Sequence, residues 1–348
     1  MQQNQAKYFN ELVNIFPALA SPNIDAMMDQ VNQRSMDLWR THLVPELGRE
    51  QLTNFELELD TLGMRARLVV PSCITAGYSY AGICHALAGG EEAEREQAAL
   101  TAGLGMLVIA IFDRILDVFP ERFADLETRI RQELFAKIQQ GQVPDIKWDD
   151  THAALNNGVV NLLALYMRRT LEHSVNADCL QHWQTTLFET FDAEMRTTEL
   201  KHDQLDADEE LLEKLLAPST GLYRFLALGA CTAIQQPNIK PVLEFADTMG
   251  RLTWMIDDYI DIEEDKNAGR WSGIQVRYAL SDQVSGNRDI NKQYIDDCLD
   301  LLNKAKSRAG KYYWMKDDPF TLFDIQLGFI NLWLNGPTDF SDKVNVVI

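Results

Sequence analysis

Basic residues, paired cysteines and long apolar runs are all scarce in this sequence. Its 348 residues include 32 Lys and Arg against 52 Asp and Glu, so the formal net charge is −20. This surplus of negative charge argues against binding to nucleic acid or to an anionic membrane surface. The five cysteines are scattered and include no Cys-x-x-Cys pair. That pattern predicts neither a structural zinc site nor a disulfide framework.

Signals for membrane insertion and secretion are missing as well. No apolar run approaches the roughly 20 residues that a bilayer-spanning helix needs. The longest run, around residues 103–112, ends in charged residues. The first seven residues are polar and contain no signal-peptide core. We therefore expect a reduced, cytoplasmic protein without a membrane span.

Helical periodicity runs through most of the sequence, and no alternating strand or hairpin pattern stands out. Apolar residues recur at helical spacing in 24–43, 98–118, 126–139, 153–171, 180–198, 209–216, 220–233, 241–264 and 291–309. Segments such as 98–111 are apolar on nearly every face, which is typical of helices inside a large bundle. The sequence therefore predicts an all-α fold: a single large helical bundle over residues 1–348, with a central apolar cavity.

Three carboxylates stand four residues apart: Asp257, Asp261 and Asp265. On a helix this spacing places them on one face, roughly 6 Å apart along the axis. Like charges at this spacing repel one another, and a row of carboxylates is what Mg²⁺ prefers. The preceding residues 254–256 are apolar, which indicates a partly buried helix. A solvated acidic face is the alternative interpretation.

A second acidic pair, Asp113 and Asp117, lies in an otherwise almost wholly apolar run. Carboxylates inside a buried helix are costly unless they are paired or bound to metal. An ion pair with Arg114 is the simpler interpretation of this motif. Lys266 and Arg270 directly follow the row of Asp257, Asp261 and Asp265 and are placed to hold an anion that the metal ions also touch.

In an all-helical chain of this size, the two acidic motifs resemble those of the class I isoprenoid synthase family. The resemblance is collinear over about residues 60–280. Residues 112–117 occupy the place of the family's first Asp-Asp-x-x-Asp motif, and 250–261 resemble its second. Residues 63–71 are similar to its Gly-Lys-Arg-x-Arg-Pro segment, and 216–222 fall where it has Lys-Thr-x-x-Leu. The second motif also resembles the Asp-x-x-x-Asp-x-x-x-Asp of bacterial large-terpene synthases.

The departures from the family pattern concern the second substrate. Arg114 replaces an aspartate of the first motif, no Arg-Arg-Gly follows it, and Met64 replaces the lysine of Gly-Lys-Arg. In the family, the cationic side chains that are missing here help to hold isopentenyl diphosphate. Each charge-assisted hydrogen bond contributes substantially to the free energy of binding. The metal-binding half is kept. This combination predicts a class I terpene synthase that ionises one linear allylic prenyl diphosphate, followed by cyclisation or elimination of the carbocation.

The resemblance implies three Mg²⁺ ions, held by both motifs, that assist the departure of diphosphate. The expected metal ligands are Asp113, Asp117, Asp257, Asp258, Asp261 and Asp265. Four of them are expected to be catalytic: Asp113, Asp117, Asp257 and Asp261. Asp258 is the neighbour of Asp257 and so lies beside the face that carries the row of three carboxylates. Its alternative role is to orient the cation from the second layer of residues, without binding it directly. Direct contacts to the diphosphate are expected from Arg65, Lys266 and Arg270.

The carbocation would need an apolar cavity, in which aromatic faces can stabilise it. Candidate lining residues are Phe112, Tyr223, Phe225, Trp254 and Trp333, although core packing is the simpler interpretation of each. The residues expected to set the depth of the cavity are Gly105, Met106, Ile109 and Ala110.

Two other functions remain open. The first is a prenyltransferase that joins the allylic group to isopentenyl diphosphate or to another acceptor. The second is a non-catalytic partner subunit of a prenyl synthase, against which the complete second motif argues, because unpaired buried carboxylates cost stability. A homodimer is expected only by analogy with the fold family.

Overall fold

The computed structural model describes residues 24–197, 200, 206–260, 265, 267, 269–284, 290–313 and 320–335. Within these residues the fold is all-α, with one isolated bridge between Tyr313 and Thr321. The long helices are α1 (Ile24–Leu38), α2 (Arg49–Thr61), α3 (Ala66–Leu87), α4 (Glu92–Val118), α5 (Pro120–Arg129), α6 (Ala154–His173), α7 (Ala177–Thr197), α8 (Glu209–Cys231), α9 (Ile239–Ile260), α10 (Gly273–Val284), α11 (Ile290–Ala309) and α12 (Leu322–Asn335). The π-helical segments Trp39–Leu43 and Ile130–Phe135 continue α1 and α5 into the one-turn helices Val44–Leu47 and Ala136–Gln139.

The predicted all-α class is confirmed, but the apolar pattern did not delimit α2, α3, α10 and α12. Helix α3 shows why. Every residue from 70 to 85 is buried, so the helix has no solvent face and no amphipathic period. Pro71 and Gly77 within it also lower the helical signal of the sequence.

The two predicted helical segments 209–216 and 220–233 belong to one helix, because α8 continues through Pro218. A proline inside a helix removes one backbone hydrogen bond. The carbonyl that loses its partner is that of Lys214, an exposed residue whose carbonyl water can solvate. Pro218 itself is buried, and packing of α8 on its neighbours holds the helix straight enough to continue.

Helices from both ends of the chain share one core. Gln326 of α12 donates a hydrogen bond to the carbonyl of Ala76 in α3, at 2.7 Å. The hydroxyl of Tyr80, also in α3, donates to the carbonyl of Tyr223 in α8, at 2.7 Å. The Tyr80 ring stacks on Phe245 of α9, with ring centres 5.7 Å apart. Helix α3 is therefore the central element that α8, α9 and α12 contact.

One described helix, Glu92–Leu116, is long and apolar enough to cross a membrane. Of its most apolar window, 72% is buried inside the protein. A core helix of a large bundle has the same composition, because it is apolar on nearly every face. The described residues therefore contain no clear membrane span.

Candidate functional site at the two acidic motifs

Helix α9, which carries the second motif, runs antiparallel to α8. The hydroxyl of Ser219 donates to the carbonyl of Gly250 at 2.9 Å. Five residues further along α8, Arg224 pairs with Asp247, at 3.0 Å between Nη2 and Oδ2. Residue numbers thus increase on α8 as they decrease on α9, so the two helices are antiparallel.

Helix α4, which carries the first motif, is also antiparallel to α8. Gly105 faces Leu226, and a Cβ added to Gly105 would lie 2.5 Å from its Cδ2. Two turns later on α4, Phe112 contacts Phe191 of α7, with ring centres 5.5 Å apart. The residue beside Phe191, Thr190, lies against Gly221 of α8. As residue numbers rise from 105 to 112 along α4, the numbers of the nearest α8 residues therefore decrease from 226 towards 221.

Because α4 and α9 both run against α8, they are parallel to each other. Asp113 lies in the last two turns of α4 and Asp257 in the last turn of the described part of α9, so the structure brings these two aspartates to one end of the bundle. The C-terminal end of a helix carries partial negative charge. The C-terminal end of α4 adds to the negative potential of the carboxylates, and this end of the bundle therefore favours cations.

Arg65 lies at the same end of the bundle. Helix α3 packs antiparallel to α4, since Gly77 lies against the carbonyl oxygen of Ala102 and Ile74, one turn earlier on α3, lies against Gly103. The start of α3 is therefore near the end of α4. Arg65 is exposed and has φ 48, a left-handed conformation that non-glycine residues rarely adopt. Arg65, which is predicted to contact the diphosphate, therefore lies at the same end of the bundle as Asp113.

Asp257 is half-buried and lies close to the phenols of two buried tyrosines. Burial raises the pKa of Tyr223 to about 12, and the charge of Asp257 adds a smaller rise. Burial, with the charges of Asp258 and Asp257, also raises the pKa of Tyr294 well above its usual value. Both phenols therefore stay protonated at neutral pH, and Tyr223 is hydrogen-bonded to Thr253.

Asp258 has a specific backbone partner. It is only 8% exposed, and its Oδ2 accepts a hydrogen bond from the N–H of Gly273 at 2.7 Å. Gly273 is the first residue of α10, so the carboxylate lies where the helix dipole is positive. This hydrogen bond connects α10 to α9. Asp258 is therefore better placed to support the site than to bind a metal ion directly.

Replacing Asp258 by alanine is expected to lower the free energy of unfolding by about 2 kcal/mol, because the buried N–H of Gly273 loses its acceptor. Asp258→Asn keeps an oxygen in place and loses only the charge, so it is expected to cost less than 1 kcal/mol through the helix dipole. Urea unfolding followed by circular dichroism measures both. Equal losses in the two variants would contradict this role of the hydrogen bond.

Asp265 and Arg270 are paired with each other. Their charged groups are 3.1 Å apart, and the N–H of Arg270 donates to the carbonyl of Asp265 at 2.9 Å. Gly269, with φ 69, supplies the left-handed turn that folds the chain back. One predicted metal ligand and one predicted diphosphate contact thus neutralise each other. Asp261 and Lys266 lie outside the described residues.

Asp113 is exposed on α4, whereas the side chain of Asp117 lies outside the part of the chain that the structure describes. Among the described residues, no group of three or more His, Cys, Asp or Glu side chains is arranged to hold a metal ion. Two of the predicted ligands, Asp117 and Asp261, fall outside that set. The predicted Mg²⁺ site therefore stays a prediction.

The predicted cavity residues serve helix packing where they are described. Gly105 gives room for Leu226 and Tyr166, so its small size brings helices together. Four predicted aromatic lining residues are at most 8% exposed: Phe112, Tyr223, Phe225 and Trp254. The side chain of Trp333 lies outside the described part of the chain.

No family model, curated protein or solved structure matches this chain. The resemblance to isoprenoid synthases therefore rests on the motifs themselves and on their order along the chain. The arrangement of α4, α8 and α9 adds a spatial relation between those motifs, which the sequence alone could not supply.

Sequence reasoning missed a second polar site, at a distance along the chain from both motifs. A cleft of about 190 Å³ lies between the end of α1, the π-helical segment after it, and α2. Its lining residues are Met36, Trp39, Arg40, Val44, Arg49, Leu52 and Glu56. In the sequence Glu56 looks like an ordinary solvent-exposed glutamate. In the structure it is 8% exposed, and burial together with the nearby charge of Asp60 raises its pKa from 4.5 to about 7.

We expect Glu56→Gln to stabilise the protein more at pH 8 than at pH 5. The folded state binds the proton of Glu56 more tightly than the unfolded state does, so this contribution is complete below pH 4.5. It is lost as the pH rises through about 7, and the difference between pH 5 and pH 8 is about 2 kcal/mol. Urea unfolding at both pH values measures it, with the exposed Glu50→Gln as control. A pH-independent difference would contradict the raised pKa.

Proposed function

We propose that this protein is a Mg²⁺-dependent class I terpene synthase that ionises a linear allylic prenyl diphosphate. In this proposal the protein folds as a helical bundle of the isoprenoid synthase type, with an apolar cavity for the substrate chain. The observation that carries it is the shared end of the bundle, to which the parallel helices α4 and α9 bring Asp113 and Asp257. Arg65 at the start of α3 supplies a cation at that same end.

The donor set suits hard cations, because carboxylate oxygens near the C-terminal end of α4 attract them. Asp113 and Asp117 would hold the ions from one side, and Asp257 and Asp261 from the other. When bound, Mg²⁺ would neutralise the diphosphate and stabilise the negative charge that develops as the C–O bond breaks. Arg65, Lys266 and Arg270 would bind the diphosphate oxygens by charge-assisted hydrogen bonds. The pairing of Arg270 with Asp265 would then open when the diphosphate binds.

The packing beneath the motifs supports a reaction that excludes water. Phe112 precedes Asp113, and Trp254 lies one turn before Asp258; both are buried. Tyr223, which stays protonated, lies below Asp257. If they lined a cavity, these aromatic faces would stabilise a carbocation by about 0.5–2 kcal/mol each. The same groups would exclude water that would otherwise quench the carbocation.

A product assay tests the proposal. Purified protein with Mg²⁺ is incubated with geranyl, farnesyl, geranylgeranyl or longer prenyl diphosphates, each with and without isopentenyl diphosphate. Organic extracts are analysed by gas chromatography and mass spectrometry, and the aqueous phase is assayed for diphosphate. We expect a hydrocarbon or an alcohol to form without isopentenyl diphosphate. Absence of product and of released diphosphate with every substrate would refute the proposal.

Arg65 and Arg67 favour a second candidate, a prenyltransferase. Both are exposed at the start of α3, in the segment that resembles the isopentenyl diphosphate contacts of the family. Longer prenyl diphosphates that form only when isopentenyl diphosphate is present would support this candidate. Turnover of any allylic diphosphate by the isolated chain would exclude a purely non-catalytic partner subunit.

A further inference from the structure

The cleft between α1 and α2 contains a buried carboxylate that no described residue neutralises. Glu56 is only 8% exposed, and no described residue forms a hydrogen bond or an ion pair with its side chain. Withdrawing a carboxylate from water without a partner is costly. The carboxylate lines the cleft, so a ligand in the cleft can reach it.

The two arginines of the cleft are at its solvent side. Arg49 is exposed and Arg40 is half-buried, and Arg40 also pairs with Asp37 at 3.4 Å. Neither arginine forms an ion pair with Glu56 among the described residues. Four apolar side chains also line the cleft: Met36, Trp39, Val44 and Leu52. Arg49 and Glu56 stand seven residues apart on α2, about 10 Å along the helix axis, so the cleft has a positive end and a negative end.

We propose that this cleft binds a small primary amine with an apolar body and an anionic far end, the class of the ω-amino carboxylic acids. The ammonium group would donate charge-assisted hydrogen bonds to Glu56. The methylene chain would lie against Trp39 and Leu52, and the anionic end would reach Arg49 at the rim. This site uses neither acidic motif and is independent of the proposed terpene synthase activity.

The size of the cleft limits its ligands. The cleft has a volume of about 190 Å³. A chain of five or six methylene groups fits this space, whereas ligand sites for larger organic molecules are typically about 300–1,000 Å³. The cleft is therefore too small for a farnesyl or geranylgeranyl chain.

Three related probes test the charge pattern. The probe 6-aminohexanoate carries both charged ends, hexylamine lacks the carboxylate, and hexanoate lacks the amine. Binding is measured by isothermal titration calorimetry on the full chain at pH 8, where Glu56 is ionised. We expect 6-aminohexanoate to bind most tightly, hexylamine about tenfold more weakly, and hexanoate not detectably up to millimolar concentrations.

Two variants test which residue binds the ammonium end of the ligand and which binds its carboxylate end. Glu56→Gln is expected to weaken both amines by about tenfold or more, and Arg49→Gln to weaken only 6-aminohexanoate. Glu50→Gln, on the exposed side of α2, is the matched control and is expected to leave all three affinities unchanged. Circular dichroism melting verifies that each variant is folded. Absence of amine binding to the wild type, equal binding of hexanoate, or unchanged amine affinity in a folded Glu56→Gln variant would each overturn the proposal.

Discussion

Asp257→Asn is expected to lower the turnover of the allylic diphosphate by about 10²–10³-fold, the usual effect of removing one group that stabilises transition-state charge. Asparagine has nearly the same shape but no negative charge, so it would hold Mg²⁺ weakly. Asp257 is half-buried on α9. Release of diphosphate is measured over a series of Mg²⁺ concentrations, and we expect the variant to need more Mg²⁺ for half-maximal rate.

Asp247→Asn is the matched control for this experiment. Asp247 is also a half-buried aspartate of α9, but it lies almost three turns earlier and pairs with Arg224 of α8. Its loss is expected to affect stability and to leave the Mg²⁺ requirement unchanged. If Asp257→Asn keeps the wild-type rate and Mg²⁺ dependence, Asp257 holds no metal ion. The terpene synthase activity itself is decided separately, by the wild-type product assay.

Gly77→Ala is expected to lower the free energy of unfolding by about 3 kcal/mol. A Cβ at this position would lie 2.5 Å from the carbonyl oxygen of Ala102 and 2.7 Å from the Cα of Gly103. Both atoms belong to the backbone of α4 and cannot move aside without separating the helices. Overpacking in a dense core costs about 1–3 kcal/mol or more, which exceeds the gain of up to about 1 kcal/mol from replacing a helical glycine.

Gly82→Ala on the same helix is the control. The nearest atom to a Cβ there is the Cδ1 methyl of Leu322, at 3.0 Å, the end of a side chain that can rotate away. We expect this variant to remain within about 0.5 kcal/mol of the wild type. Urea unfolding followed by circular dichroism at 222 nm compares the two. Equal stabilities would mean that α3 and α4 do not approach each other at Gly77 as closely as described.

The start and end of several helices followed from local chemistry alone. Two consecutive glycines at 89 and 90 mark a turn in the sequence, and α3 ends and α4 begins on either side of them. Gly89 there has φ 87, a conformation in which glycine is favoured. Amphipathic helices such as α1 and α11 were also predicted, because each has a polar and an apolar face. By contrast, α3 was missed because burial on all sides removes this contrast.

The residues of the acidic motifs were identifiable in the sequence, but their partners were not. The spacing of Asp257, Asp261 and Asp265 depends on a single helix, so periodicity reveals it. The pairing of Asp258 with Gly273, of Asp265 with Arg270, and the burial of Glu56 depend on where the chain returns after a turn. No local pattern marks these contacts.

The sequence by itself determined that the chain is helical and that it carries two acidic motifs, because both properties depend on residues within a few turns of one another. Only the tertiary structure decided that α4 and α9 are parallel and that Asp113, Asp257 and Arg65 lie at one end of the bundle. The direction and register of packed helices are set by close contacts between distant residues, such as Gly77 with Ala102 and Ser219 with Gly250. Such contacts depend on how side-chain shapes fit together across helices, which the hydrophobic periodicity of one helix does not encode.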